Sequence, residues 1–291
     1  MDYVNKDALV SSEWLAAHLS APDVRPVDAS WDLPTLKRDA KAEFAKAHIP
    51  GAVFFDIDEI ADSSNPLPHM LPSAEKFAAR MRKLGLGDGN RIIVYDGGAL
   101  PSAARAWWTF RAFGHEDVAV LDGGLRKWLK EGRPVESGKP MPRERHFTAR
   151  FNHALVRDLE QVKRNIESAA EQILDARSAG RFAGTAPEPR PGLRGGHIPG
   201  SLNLPFELLT EGPERTMRPA DELARLFASA GVDLKRPVAT SCGSGVTASL
   251  LALGLYLLGN KEAAVYDGSW SEWGGRSDTP IEAGAPVAAA G

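Results

Sequence analysis

The amino-acid sequence predicts an α/β fold made twice over: two tandem domains, each a mainly parallel sheet flanked by helices. Three observations carry this expectation. The chain has 291 residues, which suits one large or two medium domains. A set of short motifs recurs once, in the same order, 145 to 149 residues further on. Within each copy, β-rich runs alternate with helical patterns, as in a parallel sheet covered by helices.

The repeat is read from four matches. Val27-Asp28-Ala29 returns as Leu174-Asp175-Ala176, and His48-Ile49-Pro50-Gly51-Ala52 as His197-Ile198-Pro199-Gly200-Ser201. Ile92-Ile93-Val94-Tyr95-Asp96 returns as Val238-Ala239-Thr240-Ser241-Cys242. Val120-Leu121-Asp122-Gly123-Gly124 returns as Val265-Tyr266-Asp267-Gly268-Ser269, with Trp128 or Trp273 four residues after each. The period is far too long for a solenoid and means a duplicated domain. Asp96 stands where the second copy has Cys242, so the first copy is expected to be silent in cysteine chemistry.

Residues 91–95 and 237–240 read as strands, and 74–84 and 220–228 as helices. Residues 136–150 are polar, hold two prolines and lack a helical apolar period, so they read as a connection over the surface. The expected domains are residues 1–143 and 144–291. The tail after Gly274 is small, polar and Pro-containing, and is expected to wrap or fray.

Composition narrows the function. A net charge of −3 and a pI near 6.2 give no basic stripe for nucleic acid. No apolar run approaches the ~18 residues of a membrane span. Residues 1–9 lack the apolar block of a signal peptide. The expectation is no membrane partner and a cytoplasmic location. One cysteine allows neither an internal disulfide nor a thiolate zinc cluster. No metal or organic cofactor is expected.

That cysteine opens the loop Cys242-Gly243-Ser244-Gly245-Val246-Thr247, set between a strand end and a helix. Val246, Leu250, Leu253 and Leu257 then follow helical spacing. The two glycines let successive amide N–H groups turn inward. A cysteine inside such a ring, at a helix N-terminus, has surroundings that favour an anion and hence the nucleophilic thiolate. Phosphate-ester cleavage and sulfur transfer both use such a cradle. Cysteine phosphatases place an arginine six residues after the cysteine. Here that residue is Ala248 and the loop has no cationic side chain, which leaves sulfur transfer.

From about Leu9 to Gly274 the chain resembles the rhodanese superfamily, and within it the two-domain 3-mercaptopyruvate sulfurtransferases. The loop from Cys242 to Thr247 resembles the mercaptopyruvate version. Thiosulfate-using relatives carry Arg and Lys where this chain has Gly243 and Ser244. Thiosulfate is a compact dianion that rewards cations beside its sulfur, whereas mercaptopyruvate holds its carboxylate away from the sulfur.

The resemblance implies further residues. The segment 175–190 is similar to the one that supplies two substrate-binding arginines, here Arg181 and Arg190. A planar fork of donors suits a carboxylate and its neighbouring carbonyl. Arg177 is expected to hold structure by pairing with an acid. Asp58, His69 and Ser244 match an acid–base set proposed for the family, which requires a site between the two copies. His197 is expected to be structural. Trp107, Trp108, Phe110 and Phe113 are expected in the core and the domain interface. The implied activity moves sulfur from a small-molecule donor through a Cys242 persulfide to thioredoxin, another thiol or cyanide. Two alternatives stand beside it: thiosulfate as donor, and a non-catalytic module that only carries persulfide.

Overall fold

The computed structural model describes residues 2–284. The final seven residues of the tail, 285–291, lie outside the described residues. Each half is built on a five-stranded sheet whose strands all run parallel. The first holds β1 (Leu9–Val10), β2 (Val24–Asp28), β3 (Val53–Phe54), β4 (Arg91–Tyr95) and β5 (Val118–Leu121), in the order β1-β5-β4-β2-β3. The second half adds β6 (Val156–Arg157), β7 (Gln172–Asp175), β8 (Leu202–Asn203), β9 (Thr210–Glu211), β10 (Thr216–Met217), β11 (Val238–Ser241) and β12 (Ala264–Tyr266). Its sheet runs β6-β12-β11-β7-β8, the same order strand for strand. The pair β9 and β10 forms a separate antiparallel hairpin.

The repeated motifs do the same structural work twice. His48 stacks on Phe44 and bonds its carbonyl through Nδ1, and His197 does so with Phe182. Glu136 then pairs its backbone with His48, as Glu282 does with His197. His197 is therefore a buried structural residue. Glu136 belongs to the first half by this pairing, and the tail wraps the second half at least to Glu282.

The connection is exposed from Glu136 to His146 but is anchored further on. Phe147 is 1% exposed and packs edge-on against Phe77. Arg150 and Asn152 donate backbone bonds to Phe113 and Ala112. The connecting chain thus stays on the first half well past residue 143. The apolar anchor is a single aromatic, too short a signal to break the polar pattern of the segment.

Two helices, Ala103–Ala112 and Ala248–Leu257, pack on each other between the sheets. Nine of the ten residues in each are buried. The second begins at Ala248, so Val246 precedes it, and it has no solvated face. The spacing of Leu250, Leu253 and Leu257 therefore samples a helix that is apolar all round, as expected of one sandwiched in a core. Trp107 meets Tyr256 edge-on at 5.2 Å, and Trp108 Nε1 donates to the Leu155 carbonyl. Both tryptophans and Phe110 are at most 1% exposed. No helix among the described residues is long and apolar enough to cross a membrane.

Trp107→Ala is expected to lower the stability of the whole chain by about 3–5 kcal/mol, the usual loss for a buried aromatic. A single cooperative urea transition, shifted to lower midpoint, checks this. Two separate transitions would show that the helices do not join the halves into one unit.

Candidate functional site

Cys242 follows β11 directly, at the carboxyl end of the sheet, where ligands of open α/β folds bind. It is 2% exposed. Its loop is held from behind. The Cys242 carbonyl accepts from Trp270 N–H, and the Gly243 carbonyl accepts from Ser271 N–H and Oγ. Cys242 N–H donates to Ser269 Oγ at 3.2 Å. The N–H groups of Gly243, Ser244, Gly245, Val246 and Thr247 have no hydrogen-bond acceptor among the described residues. Gly245 has φ +76, and a Cβ there would lie 2.6 Å from Arg105 Nη1, so only glycine fits. Five successive unpaired amides directly after the cysteine form a site for a negatively charged atom.

Gly243, Ser244, Val246 and Thr247 line one pocket with Cys242, Arg181 and Arg190. A Cβ on Gly243 would sit 3.1 Å from Arg181 Nη2 and 3.7 Å from Arg190 Nη1. This corrects the charge argument drawn from the loop alone. The loop carries no cation, yet two guanidiniums from a distant segment stand beside it. A shortage of positive charge at the sulfur therefore does not separate mercaptopyruvate from thiosulfate. It also does not exclude phosphate, although the arginine six residues after the cysteine is absent.

Glu188 orders this segment. Its carboxylate, 3% exposed, takes Arg177 Nη1 at 2.7 Å and Arg181 Nη2 at 2.6 Å. Arg177 also pairs with Asp175 at 2.7 Å and is a buried structural residue. Arg190 has no carboxylate within ion-pair distance among the described residues. Burial lowers its pKa, while the Cys242 sulfur pulls the other way. Its free donors face the pocket.

The first half supplies the rest. His69, 6% exposed, places Nδ1 2.8 Å from Asp58 Oδ1. Asp58 Oδ2 accepts from Trp31 Nε1 at 2.9 Å. Burial, reinforced by Arg105 and Arg190 and opposed by Asp58, holds His69 below the usual histidine range. Burial works to raise Asp58, but His69, Trp31 and Arg190 outweigh it and hold its carboxyl below the usual range. The structure thus joins Asp58 to His69 but not His69 to Ser244. Arg190 Nη2 stands between them, 3.4 Å from His69 Nε2 and 3.3 Å from Ser244 Oγ. His69 Nε2 is the ring nitrogen turned toward that guanidinium.

Sequence reasoning missed Trp31, Leu33, Leu100 and Phe206 as pocket walls, and Glu188, Arg105 and Asp267 as supports. Only Glu188 carried a signal, as an acid seven residues after Arg181 and eleven after Arg177 on a proline-stiffened loop.

The first copy shows why it cannot mimic this site. Asp96 Oδ2 accepts from Ala103 N–H, Ser30 Oγ from Gly97 N–H, and Asp32 Oδ1 from Ala99 N–H. Two of its loop amides, those of Gly97 and Ala99, thus find acceptors on Ser30 and Asp32, and Asp96 stands where the second copy has its sulfur.

A buried cysteine opening a loop of unpaired amides, on one of two duplicated parallel-sheet domains, defines a cysteine-loop protein of α/β class. The chain belongs to the rhodanese-like domain family, whose profile matches residues 11–131 and again 158–276. It is 48% identical over 274 residues to human 3-mercaptopyruvate sulfurtransferase, covering 91% of each chain. It is 46% identical over 274 residues to chicken thiosulfate sulfurtransferase, covering 91% of this chain and 93% of that one. Its structure is similar to that of the 3-mercaptopyruvate sulfurtransferase SseA from Escherichia coli, with a TM-score of 0.82 and 42% identity over 90% of this chain and 98% of that one.

Asp96 gives a test by pH. Burial pushes its carboxyl up to about 6 from 3.8, so ionising it inside the fold costs on the order of 3 kcal/mol. A folded-state value above the unfolded one means the penalty is complete above about pH 6 and fades as pH falls toward about 4. Asp96→Asn keeps an acceptor for Ala103 N–H. It is expected to raise stability by about 1–3 kcal/mol near pH 8 and by little near pH 4. Equal gains at both pH values in urea titrations would refute this.

Proposed function

We propose that the chain has the activity for which its relatives are named, 3-mercaptopyruvate sulfurtransfer, and that Cys242 carries the sulfur as a persulfide. The observation that carries this reading is the ring of five unpartnered amides around a buried cysteine, faced by two arginines. We place the catalytic role in the second copy of the fold and a supporting, non-catalytic role in the first, whose connecting chain stays anchored to it as far as Asn152.

In the proposed reaction the carboxylate and carbonyl of mercaptopyruvate meet Arg181 and Arg190. The Cys242 thiolate attacks the substrate sulfur. A sulfur–sulfur bond forms as the carbon–sulfur bond breaks, and its electron pair leaves on the pyruvate enolate. The arginines oppose the enolate charge. With Arg190 drawn from between them onto the substrate, His69, oriented by Asp58, takes the thiol proton at Nε2 and returns it by way of Ser244 to the departing enolate. The loop amides hold the outer persulfide sulfur. An external thiol, such as that of thioredoxin, or cyanide then removes it. The chain has one cysteine, so no internal thiol competes for that step.

Thiosulfate remains the second donor reading, favoured by the guanidiniums beside Gly243 and by the resemblance to the chicken enzyme. Pyruvate release from mercaptopyruvate, measured beside turnover of thiosulfate, separates the two.

Cys242→Ser is expected to abolish pyruvate release while leaving the fold intact, because a hydroxyl is a poor nucleophile and forms no persulfide. Mass spectrometry of the parent after donor exposure should show one added sulfur, about 32 Da, on Cys242 alone. Pyruvate release by the serine variant, or labelling elsewhere, counts against the mechanism. Arg190→Gln removes a charge-assisted contact and is expected to reduce kcat/KM about 10-fold to 100-fold. The pH dependence follows from His69. The base must be neutral, so activity falls as pH drops through a value below 6.5. Asp58 supports the charged form, so Asp58→Asn moves that acidic limb to still lower pH. An unmoved limb in steady-state profiles would remove His69 as the base.

A further inference from the structure

We propose that Arg105, acting with Asp267, is the positioning pair that sets His69 of the first half against the cysteine loop of the second. The inference rests on the part given above to His69. Arg105 lies on the helix Ala103–Ala112 and is 2% exposed. A buried guanidinium has to place its donors within the protein. Nη2 donates to the His69 carbonyl and, at 2.7 Å, to Asp267 Oδ1. Asp267 Oδ2 accepts from Leu71 N–H at 2.7 Å. The backbone is therefore gripped on both sides of Met70, once by Arg105 and once by the carboxylate that Arg105 holds.

The same side chain reaches the cysteine loop. Its guanidinium stacks over Trp108 at 4.5 Å, and Nη1 lies against Gly245 without a hydrogen-bond partner of its own among the described residues. Asp267 ends β12, next to the Gly268–Ser269 turn whose hydroxyl receives Cys242 N–H. One buried pair thus touches the His69 segment, the cysteine loop and the turn behind it.

What needs holding is visible in the backbone. His69 has φ 64, a left-handed conformation that costs a non-glycine residue on the order of 1 kcal/mol or more. Such a residue persists only where its surroundings over-determine it. In that conformation the ring meets Asp58 through Nδ1 and Arg190 through Nε2. Released, His69 loses its aim, while Arg181 and Arg190 remain to bind substrate. The expected signature is a fall in kcat with KM preserved.

The test is steady-state pyruvate release by the full-length chain. Arg105→Lys keeps the charge, but its side chain ends one atom short of Nη2 and lacks the planar group stacked on Trp108, so its ammonium does not hold the His69 carbonyl and Asp267 in place. It is expected to lower kcat about tenfold to a hundredfold with KM for mercaptopyruvate within about twofold. Placed on His69→Ala, the same substitution should cause no further loss. The paired variant Arg105→Met with Asp267→Leu removes both charges together and should behave alike. Parental kcat in either folded variant overturns the proposal, as does an equal loss in the His69→Ala background. Failure of both variants to fold assigns the pair to folding alone and rejects the positioning role. If His69→Ala itself keeps parental kcat, the earlier reading of His69 falls. A normal Arg105→Lys beside an impaired His69→Ala removes only this inference.

Discussion

A buried backbone N–H must find an acceptor, and the structure around Cys242 depends on leaving five of them without one. An unpaired buried polar group costs roughly 1–3 kcal/mol. A loop that points several inward is tolerable only if its shape is imposed from outside. Here the imposing contacts come from behind. Trp270 N–H and the Ser271 backbone and hydroxyl fix the carbonyls of Cys242 and Gly243. The helix Ala248–Leu257 starts from the loop and is buried on nearly every side. The result is a preorganised site for negative charge.

The first copy meets the same constraint the ordinary way. Its loop follows an equivalent strand and precedes an equivalent helix, yet Ser30 and Asp32 accept from the loop amides of Gly97 and Ala99, and Asp96 accepts from Ala103 N–H at the helix start. Comparing the copies isolates what function requires. Fold and strand order are shared, but the loops differ: Gly245 is left-handed at φ 76, no residue from 96 to 102 is, and the amides find different acceptors. The cost of the first solution is a pair of buried carboxylates, with Asp96 pushed up to about 6. The second solution leaves that same cost unrelieved until a ligand or the sulfur itself provides an acceptor.

The duplication was legible because the motifs that recur are those that backbone geometry demands: Asp at strand ends, Gly in left-handed turns, His packed on a phenylalanine. The cysteine loop was legible for the same reason. Arg181 and Arg190 were reached through family resemblance, since nothing in their spacing ties them to residue 242. Arg105 and Asp267 left no trace, because their pairing spans 162 positions and joins two halves. Trp31 was equally hidden, being one aromatic in an ordinary strand-end segment. The argument that the loop lacked cations failed for this reason too. Charge at a site is a property of space, and a sequence window cannot count what other segments bring.

The halves also close each other, which explains why a silent copy is retained in the architecture. The first half sends the segment bearing His69 over the cysteine loop, anchored by Leu71 N–H on Asp267. The second half sends the hairpin β9–β10 over the silent loop, anchored by Met217 N–H on Asp122. Asp122 and Asp267 are the same position in the repeat. His69 and Arg215, both left-handed at φ 64 and 56, stand in equivalent places on the two covers. On one cover that residue is a histidine whose Nε2 meets Arg190 beside the cysteine loop. On the other it is an arginine whose guanidinium donates to the Ala99 carbonyl of the silent loop. Only one of the two covers has to carry chemistry, but neither loop can be shielded without the other half. A single domain of this fold would leave Cys242 open to water on the side where Trp31, Leu33 and Leu100 now stand. The first half therefore contributes by exclusion and by orientation, and its loss of cysteine removes nothing that this contribution needs.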